Sequence, residues 1–317
     1  MPRYLAQRLL MLVPTLFLAS VLIFAIIQLA PGDPARMRLG MEATDEQVAL
    51  ERVRLGLDQP IPVRYGVWLS DVARFDLGRS QVYNRPVATL VTEAFPHTLR
   101  LALIALGLAV LIGFPLGILA AVRQNRGADY VVTGLSSLGL SIPSFWLGIL
   151  LILLFSVRLR WLPPSGLGLP GQSSFFNLEF LILPVITIAV SNLAVFSRFV
   201  RSSMIDVLAA DYVRTARAKG LGEMVVIGRH ALRTALLPIV TALGIQFGTL
   251  LGGAVVTESV FAYPGIGRLV VSSILNRDYP VVQATLMLVV VIFLVTNLLV
   301  DLSYAYLDPS VRLGGRR

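Results

Sequence analysis

The chain has 317 residues, of which 56% are hydrophobic and only 14% charged, and its mean hydropathy is +0.78. Soluble domains carry about 25% charged residues, so this composition excludes a water-soluble enzyme or carrier and indicates a polytopic membrane protein. Disulfides and thiolate chemistry are excluded by the absence of cysteine, and the net charge of +9 comes from arginines scattered along the chain with no nucleic-acid recognition motif beside them.

Six uncharged stretches, 9–30, 101–122, 130–157, 180–197, 234–257 and 279–300, are each long enough to cross a bilayer as a helix. The expected fold is therefore all-α with six transmembrane helices and both ends on one side. A cleavable signal peptide is the competing reading of the first stretch. Its apolar run exceeds the usual 7–15 residues of a signal core, and Pro31 follows the only site resembling a cleavage point. The first stretch is accordingly read as a retained span.

Orientation follows from the short connections, because Arg and Lys accumulate on the cytoplasmic side. With the N-terminus inside, fourteen basic residues face the cytoplasm, seven of them between Arg198 and Arg233. The short outside loops hold only Arg158, Arg160, Arg268 and Arg277, and the long outside segment nearly balances eight arginines with nine acids. Both termini are expected in the cytoplasm, the chain in the inner or plasma membrane, and the surplus basic residues against lipid headgroups.

The long outside segment, 31–96, reads as a helical excursion over the mouth of the bundle. Thr44 and Gln47 stand in capping-box positions at the head of a helix over 44–55, which Gly56 ends, and a second amphipathic stretch covers 63–74. His97, at the start of the second span, is expected at the interface, and His230 on the opposite face; the two cannot share a metal. Further outside loops are Trp161-Leu-Pro-Pro-Ser-Gly166 and Val260-Phe-Ala-Tyr-Pro-Gly-Ile-Gly-Arg268, the latter expected to dip toward the bundle.

Within the six stretches there is no Asp, Glu, Lys, Arg or His, whereas ion-coupled pumps place ionisable groups at membrane depth. A P-loop needs Gly-Lys followed by Ser or Thr, and the only lysine lies in Ala218-Lys219-Gly220. A catalytic residue, a metal site and a cofactor bound by this chain are all unexpected. Gly113 with Gly117, and Gly244 with Gly248 and Gly252, form small-xxx-small series suited to close helix packing, and Pro115, Pro143 and Pro184 mark kinks or span ends. Among the polar intramembrane residues, Ser141, Ser191, Asn192, Gln246, Thr249, Thr257 and Asn297, the candidates for lining a pathway are Ser191, Asn192, Gln246 and Thr249.

One charged island remains, Asp211-Tyr-Val-Arg-Thr-Ala-Arg-Ala-Lys-Gly-Leu221. The spacing predicts a helix over 201–219, with Met204, Leu208, Tyr212 and Ala216 on one face, ended by Gly220 in a left-handed conformation, and a second short helix over 223–234. Such a pair either lies on headgroups or docks a cytoplasmic partner.

The island resembles the Glu-Ala-Ala-x-x-x-Gly loop of ABC importer permeases in its dipeptide, oligopeptide and nickel version. Ala216 and Gly220 keep the general pattern, Arg214 and Thr215 replace its first Glu and Ala, and its later proline is missing at His230-Ala-Leu-Arg233. Gly222 stands where a Ser or Thr cap is expected, and this leaves the start of the second helix open. An ordered series over most of the chain resembles the first permease of such importers: Ala30-Pro-Gly-Asp-Pro34, Leu55-Gly-Leu-Asp-Gln-Pro60, Arg85-Pro86-Val87, Ser141-Ile-Pro-Ser-Phe-Trp146, Trp161-Leu-Pro163, Pro264-Gly-Ile-Gly-Arg268, Arg277-Asp-Tyr-Pro280 and the segment from Asp301 to Asp308.

The resemblance implies a type I ABC importer permease fold: an N-terminal helix (1–30), the excursion (31–96), a five-helix core (97–306) with a cytoplasmic coupling loop (201–235), and a cytoplasmic tail (307–317). It further implies a second homologous permease, two cytoplasmic ATPases that carry ATP and Mg, and an extracytoplasmic substrate-binding protein. In this picture Asp211, Tyr212, Arg214, Thr215, Ala216, Arg217, Ala218, Lys219, Gly220 and Leu221 form the coupling helix. The cargo is a peptide or a related small solute, with glutathione, nickel complexes and oligosaccharides open. A passive channel has no need of the coupling motif, and a secondary transporter lacks its intramembrane charges.

Overall fold

The computed structural model describes residues 2–29, 33–40, 42–167 and 178–307; the tail beyond residue 307, Pro31-Gly32 and Asp308 lie outside the described residues. Helices carry almost all of it. The long apolar helices are α1 (Pro2–Gln28), α5 (Val87–Val122), α8 (Glu179–Leu208), α11 (Leu232–Val260) and α13 (Tyr279–Leu307). A sixth candidate span is the pair α6 (Gly127–Ser141) and α7 (Ser144–Leu151), the latter continuing as a π-helix to Arg158, which together are long and apolar enough to cross. The third span is thus a broken pair bent by 93°, not one continuous helix. Pro143 is the cause: it lacks an N–H and holds φ at −59°, and it forces Ile142 out of the helical region. Pro115 and Pro184 sit inside α5 and α8.

The excursion comprises α2 (Pro34–Leu39), α3 (Asp45–Arg54) and α4 (Ile61–Ala73). Both halves of the predicted capping box form, Thr44 N–H to Gln47 Oε1 at 3.0 Å and Gln47 N–H to Thr44 Oγ1 at 3.4 Å. Gly56, at φ +65°, ends that segment. The sequence reading missed α2, which Asp33 caps through a 3.0 Å bond from the Ala35 N–H with Pro34 at its first position.

Helices α5 and α8 run side by side and carry the centre of the core. Leu101, Ala102 and Ala105 of α5 meet Leu181, Leu183, Val185, Ile188 and Ala189 of α8 and Leu250 and Ala254 of α11. Lipid is as apolar as these side chains, so close packing rather than expulsion from water holds such helices together. Gly117 supplies that closeness, since a Cβ there would lie 2.6 Å from Ser197 O and from Val200 Cβ. Gly113 packs on α8, and Gly244 and Gly248 on Val300 and Phe293 of α13, whereas Gly252 faces open space.

The loop after α11 dips into the bundle as expected. Phe261 and Tyr263 are fully buried, the Phe261 carbonyl accepts from Gly166 N–H at 2.9 Å, and the short helix α12 (Ile266–Leu275) packs on the start of α5.

Candidate functional site

The charged island forms a short separate helix, α9 (Asp211–Ala218). Two sequence expectations are corrected here. The helix predicted over 201–219 is interrupted, because α8 ends at Leu208 and Ala210 is extended at ψ 147°; Asp211 then opens α9, where its charge favours the positive helix N-terminus. The second helix is not separate either: α10 (Glu223–Val225) passes through a π turn (Val226–Ala231) directly into α11. Gly222 supplies an extended cap position (ψ 146°) without any side-chain bond, so the helix starts there despite the missing Ser or Thr. Gly220, at φ +80°, takes the predicted left-handed conformation.

The break rotates the buried face. Val213 and Ala216 are buried against Val226, Val207 and Leu208, while Tyr212, expected on the same face as Ala216, is 45% exposed. Burying one such valine contributes about 1.5–3 kcal/mol, enough to seat a two-turn helix that would be unstable alone. Of its cations, Arg214 pairs with Asp211 at 3.3 Å with both side chains well exposed, which adds little stability. Arg217 grips Glu223 with two bonds, 2.6 and 3.2 Å, and Glu223 raises its guanidinium pKa above the ordinary value. Lys219 is exposed, with no partner among the described residues. Met224, five residues further on, is 85% exposed, which the sequence alone did not single out.

At that same end of the bundle, Asp129 of α6 and Arg201 of α8 form a bidentate ion pair, Nε to Oδ1 at 2.5 Å and an amino nitrogen to Oδ2 at 2.7 Å. Asp129 also accepts from the Asn125 N–H at 2.9 Å. Its carboxylate is 3% exposed and the arginine 27%. Asp129 is the lone acid of a basic connection, and that was the available signal.

The four candidate pathway residues come together. Ser191 and Asn192 of α8 face Gln246 and Thr249 of α11 across a cavity of about 190 Å³ that Ser144 and Thr257 also border. Gln246 Nε2 donates to Asn192 Oδ1 at 2.6 Å, and Asn192 Nδ2 donates to the Ile188 carbonyl at 2.7 Å. Ser141 turns back to the Ser137 carbonyl and takes no part. The Thr257 hydroxyl is buried with no hydrogen-bond partner among the described residues. Among the described residues no charged side chain lines the cavity, so the groups it offers can bond neutral polar groups or water.

At the opposite end two buried carboxylates fix the loops. Glu258 accepts from Thr98 Oγ1 at 2.6 Å and from the N–H groups of Gly267 and Arg268 at 2.7 and 3.2 Å, at the N-terminus of α12. Asp278 accepts from the Ser80 hydroxyl and from the N–H groups of Gln81 and Val82 at 3.2 and 3.3 Å, which ties the excursion to the start of α13. His97, expected at the interface, lies within α5 with its ring edge-on to Tyr263 at 5.8 Å.

Residues 113–313 match the family described as the inner membrane component of binding-protein-dependent transport systems, and residues 1–102 match its N-terminal region. The chain belongs to this family. It is 45% identical over 312 residues to the glutathione transport system permease protein GsiC of Escherichia coli (strain K12), and equally so to GsiC of Salmonella typhi, with 98% of this chain and 99% of each relative covered. Among solved structures, the inward-facing MetNI methionine ABC transporter superposes with a TM-score of 0.59 at 20% identity, covering 70% of this chain and 97% of that one. A crystal structure of an amino acid ABC transporter gives 0.53 at 17% identity, covering 69% and 94%; both show the fold. The chain is a permease subunit of an ABC importer of the peptide and nickel type, a multi-pass inner-membrane protein with the type I permease fold. Nothing supports the channel or secondary-transporter readings.

Proposed function

We propose that this permease pairs with a second, homologous permease and lines half of a pathway for small peptides, of which glutathione is the first to test. Two cytoplasmic ATPases hold ATP and Mg and dock on α9, and a binding protein delivers cargo from the other face. Both termini are cytoplasmic, and the chain divides into the N-terminal helix, the excursion, the five-helix core and the tail. The choice of glutathione rests on end-to-end likeness at 45% identity to a permease named for its transport.

Docking on α9 rests on one observation: α9, anchored by Val213 and Ala216, and the turn that follows it leave Tyr212, Lys219, Leu221 and Met224 exposed between α8 and α11. ATP-driven closure of the ATPases would draw two such helices together. The pathway role of Ser191, Asn192, Gln246 and Thr249 rests on their shared uncharged cavity. The chain contains no cysteine, so a single cysteine at Ala218 and one on a partner ATPase report docking directly. Efficient cross-linking in the assembled complex is expected; its absence for every pair tried would refute the assignment.

A further inference from the structure

A second cavity, of about 730 Å³, lies at the excursion end of the bundle, where the last turn of α1 and the first turn of α13 meet beneath α4. It shares no residue with the cavity of Asn192 and Gln246. One face of α4 supplies Arg64, Trp68 and Asp71, at i, i+4 and i+7, so the two charges are separated by about 10 Å of helix rise. Both are half-buried, and neither has a side-chain partner among the described residues. The Phe24 ring lies 5.7 Å from Trp68 at a tilt of 39°, and Ile27 continues the apolar wall along α1.

Asp33, Arg52 and Arg54 border the cavity as well, but Arg52 pairs with Asp33 at 3.1 Å and Arg54 with Glu51 at 3.7 Å, whereas the half-buried Arg64 and Asp71 gain most from a ligand that brings each an opposite charge. We propose that this cavity holds the headgroup of a zwitterionic phospholipid, with phosphate on Arg64, ammonium between Asp71 and the Trp68 ring, and acyl chains along α1. Arg–phosphate and ammonium–indole contacts are the strong forms of each interaction. The location selects lipid over a soluble zwitterion. Gln28 and Tyr279, at the ends of two candidate spans, both border the cavity, the tyrosine as aromatic belts do, and on the face of α1 that carries Phe24, Leu10, Val13 and Phe17, each more than half exposed, offer a track for acyl chains.

Native mass spectrometry of the full-length chain in mild detergent tests this, with dipalmitoyl phosphatidylethanolamine and phosphatidylglycerol offered at equal concentration. The wild type should retain one phosphatidylethanolamine with about tenfold preference, since the glycerol headgroup lacks the ammonium. Asp71→Asn should abolish the preference and leave phosphatidylglycerol retention unchanged, and Arg64→Gln should lower both about tenfold, with partial rescue by Arg64→Lys. Circular dichroism identical to wild type separates these losses from misfolding. Equal retention of both lipids by the wild type, or unchanged retention by the double variant Arg64→Gln/Asp71→Asn, would overturn the proposal. So would displacement of phosphatidylethanolamine by millimolar trialanine, which would make the cavity a peptide site.

Discussion

Neutralising Asp129 is the most telling perturbation of the end that carries α9. The Asp129→Asn amide can still accept from Asn125 N–H, but it leaves the Arg201 guanidinium without its bidentate partner. Removing one member of a buried pair costs about 3–5 kcal/mol, chiefly by stranding the other charge. Arg201 keeps 27% exposure and can partly rehydrate, which lowers the expected loss to about 2–3 kcal/mol. Arg201→Gln should cost a similar amount, and the double variant about as much as either single one, because no charge is then stranded. Reversible unfolding of the purified chain in mixed micelles, followed by circular dichroism, yields the cycle. Additive losses in the double variant would show that the two residues do not act as a pair.

Three other outcomes follow from particular contacts. Gly117→Ala should destabilise the chain in the same assay by about 1–3 kcal/mol, because the new methyl meets the Ser197 carbonyl and Val200, while Gly252→Ala, with nothing within 4 Å, should be neutral or slightly stabilising; equal effects would contradict the packing account. Gly220→Ala adopts φ +80° only with strain, so it should cost about 1–2 kcal/mol locally and raise proteolytic cleavage after Lys219; an unchanged digestion pattern would count against it. Asn192→Leu removes the bond from Gln246 and should reduce uptake in reconstituted vesicles several-fold while binding-protein-stimulated ATP hydrolysis persists; undiminished uptake would remove Asn192 from the pathway.

The spans, the capping box at Thr44 and the turn at Gly220 were legible because each depends on local chemistry: apolar length, a side chain reaching three residues along, a backbone sign only glycine tolerates cheaply. The break at Ala210 was not, because nothing in 201–219 disfavours a helix. What divides α8 from α9 is the seat formed by Val207, Leu208 and Val226, and Val226 lies sixteen residues past the break at Ala210. Tyr212 shared a face with Met204, Leu208 and Ala216 by a four-residue spacing that holds only for a continuous helix; once α9 starts afresh, Val213 rather than Tyr212 is buried beside Ala216. The cavity residues were legible as a set because polarity is rare in these spans. Asp129, Glu258 and Asp278 were not, because a lone acid at a span end reads as solvated until its partners, 72, 160 and 198 residues away, are known.

The distribution of polar chemistry along α8 explains why charge is kept from its middle. At 1.5 Å per residue the helix is about 45 Å long, and Asn192 lies about 24 Å from Leu208, where the seat of α9 begins. Arg201 falls between them, anchored to α6. A charged pair midway would have to be desolvated whenever neighbouring helices separated, at several kcal/mol per ion, whereas the Asn192–Gln246 amide bond is worth only about 1 kcal/mol net. An amide pair can therefore part and re-form at little cost whenever α8 and α11 separate, while Asp129 with Arg201, and Glu258 with Thr98, hold the ends of the bundle together. Strong contacts at both ends and a weak one between them let a helix anchored at α9 shift its centre without the bundle coming apart.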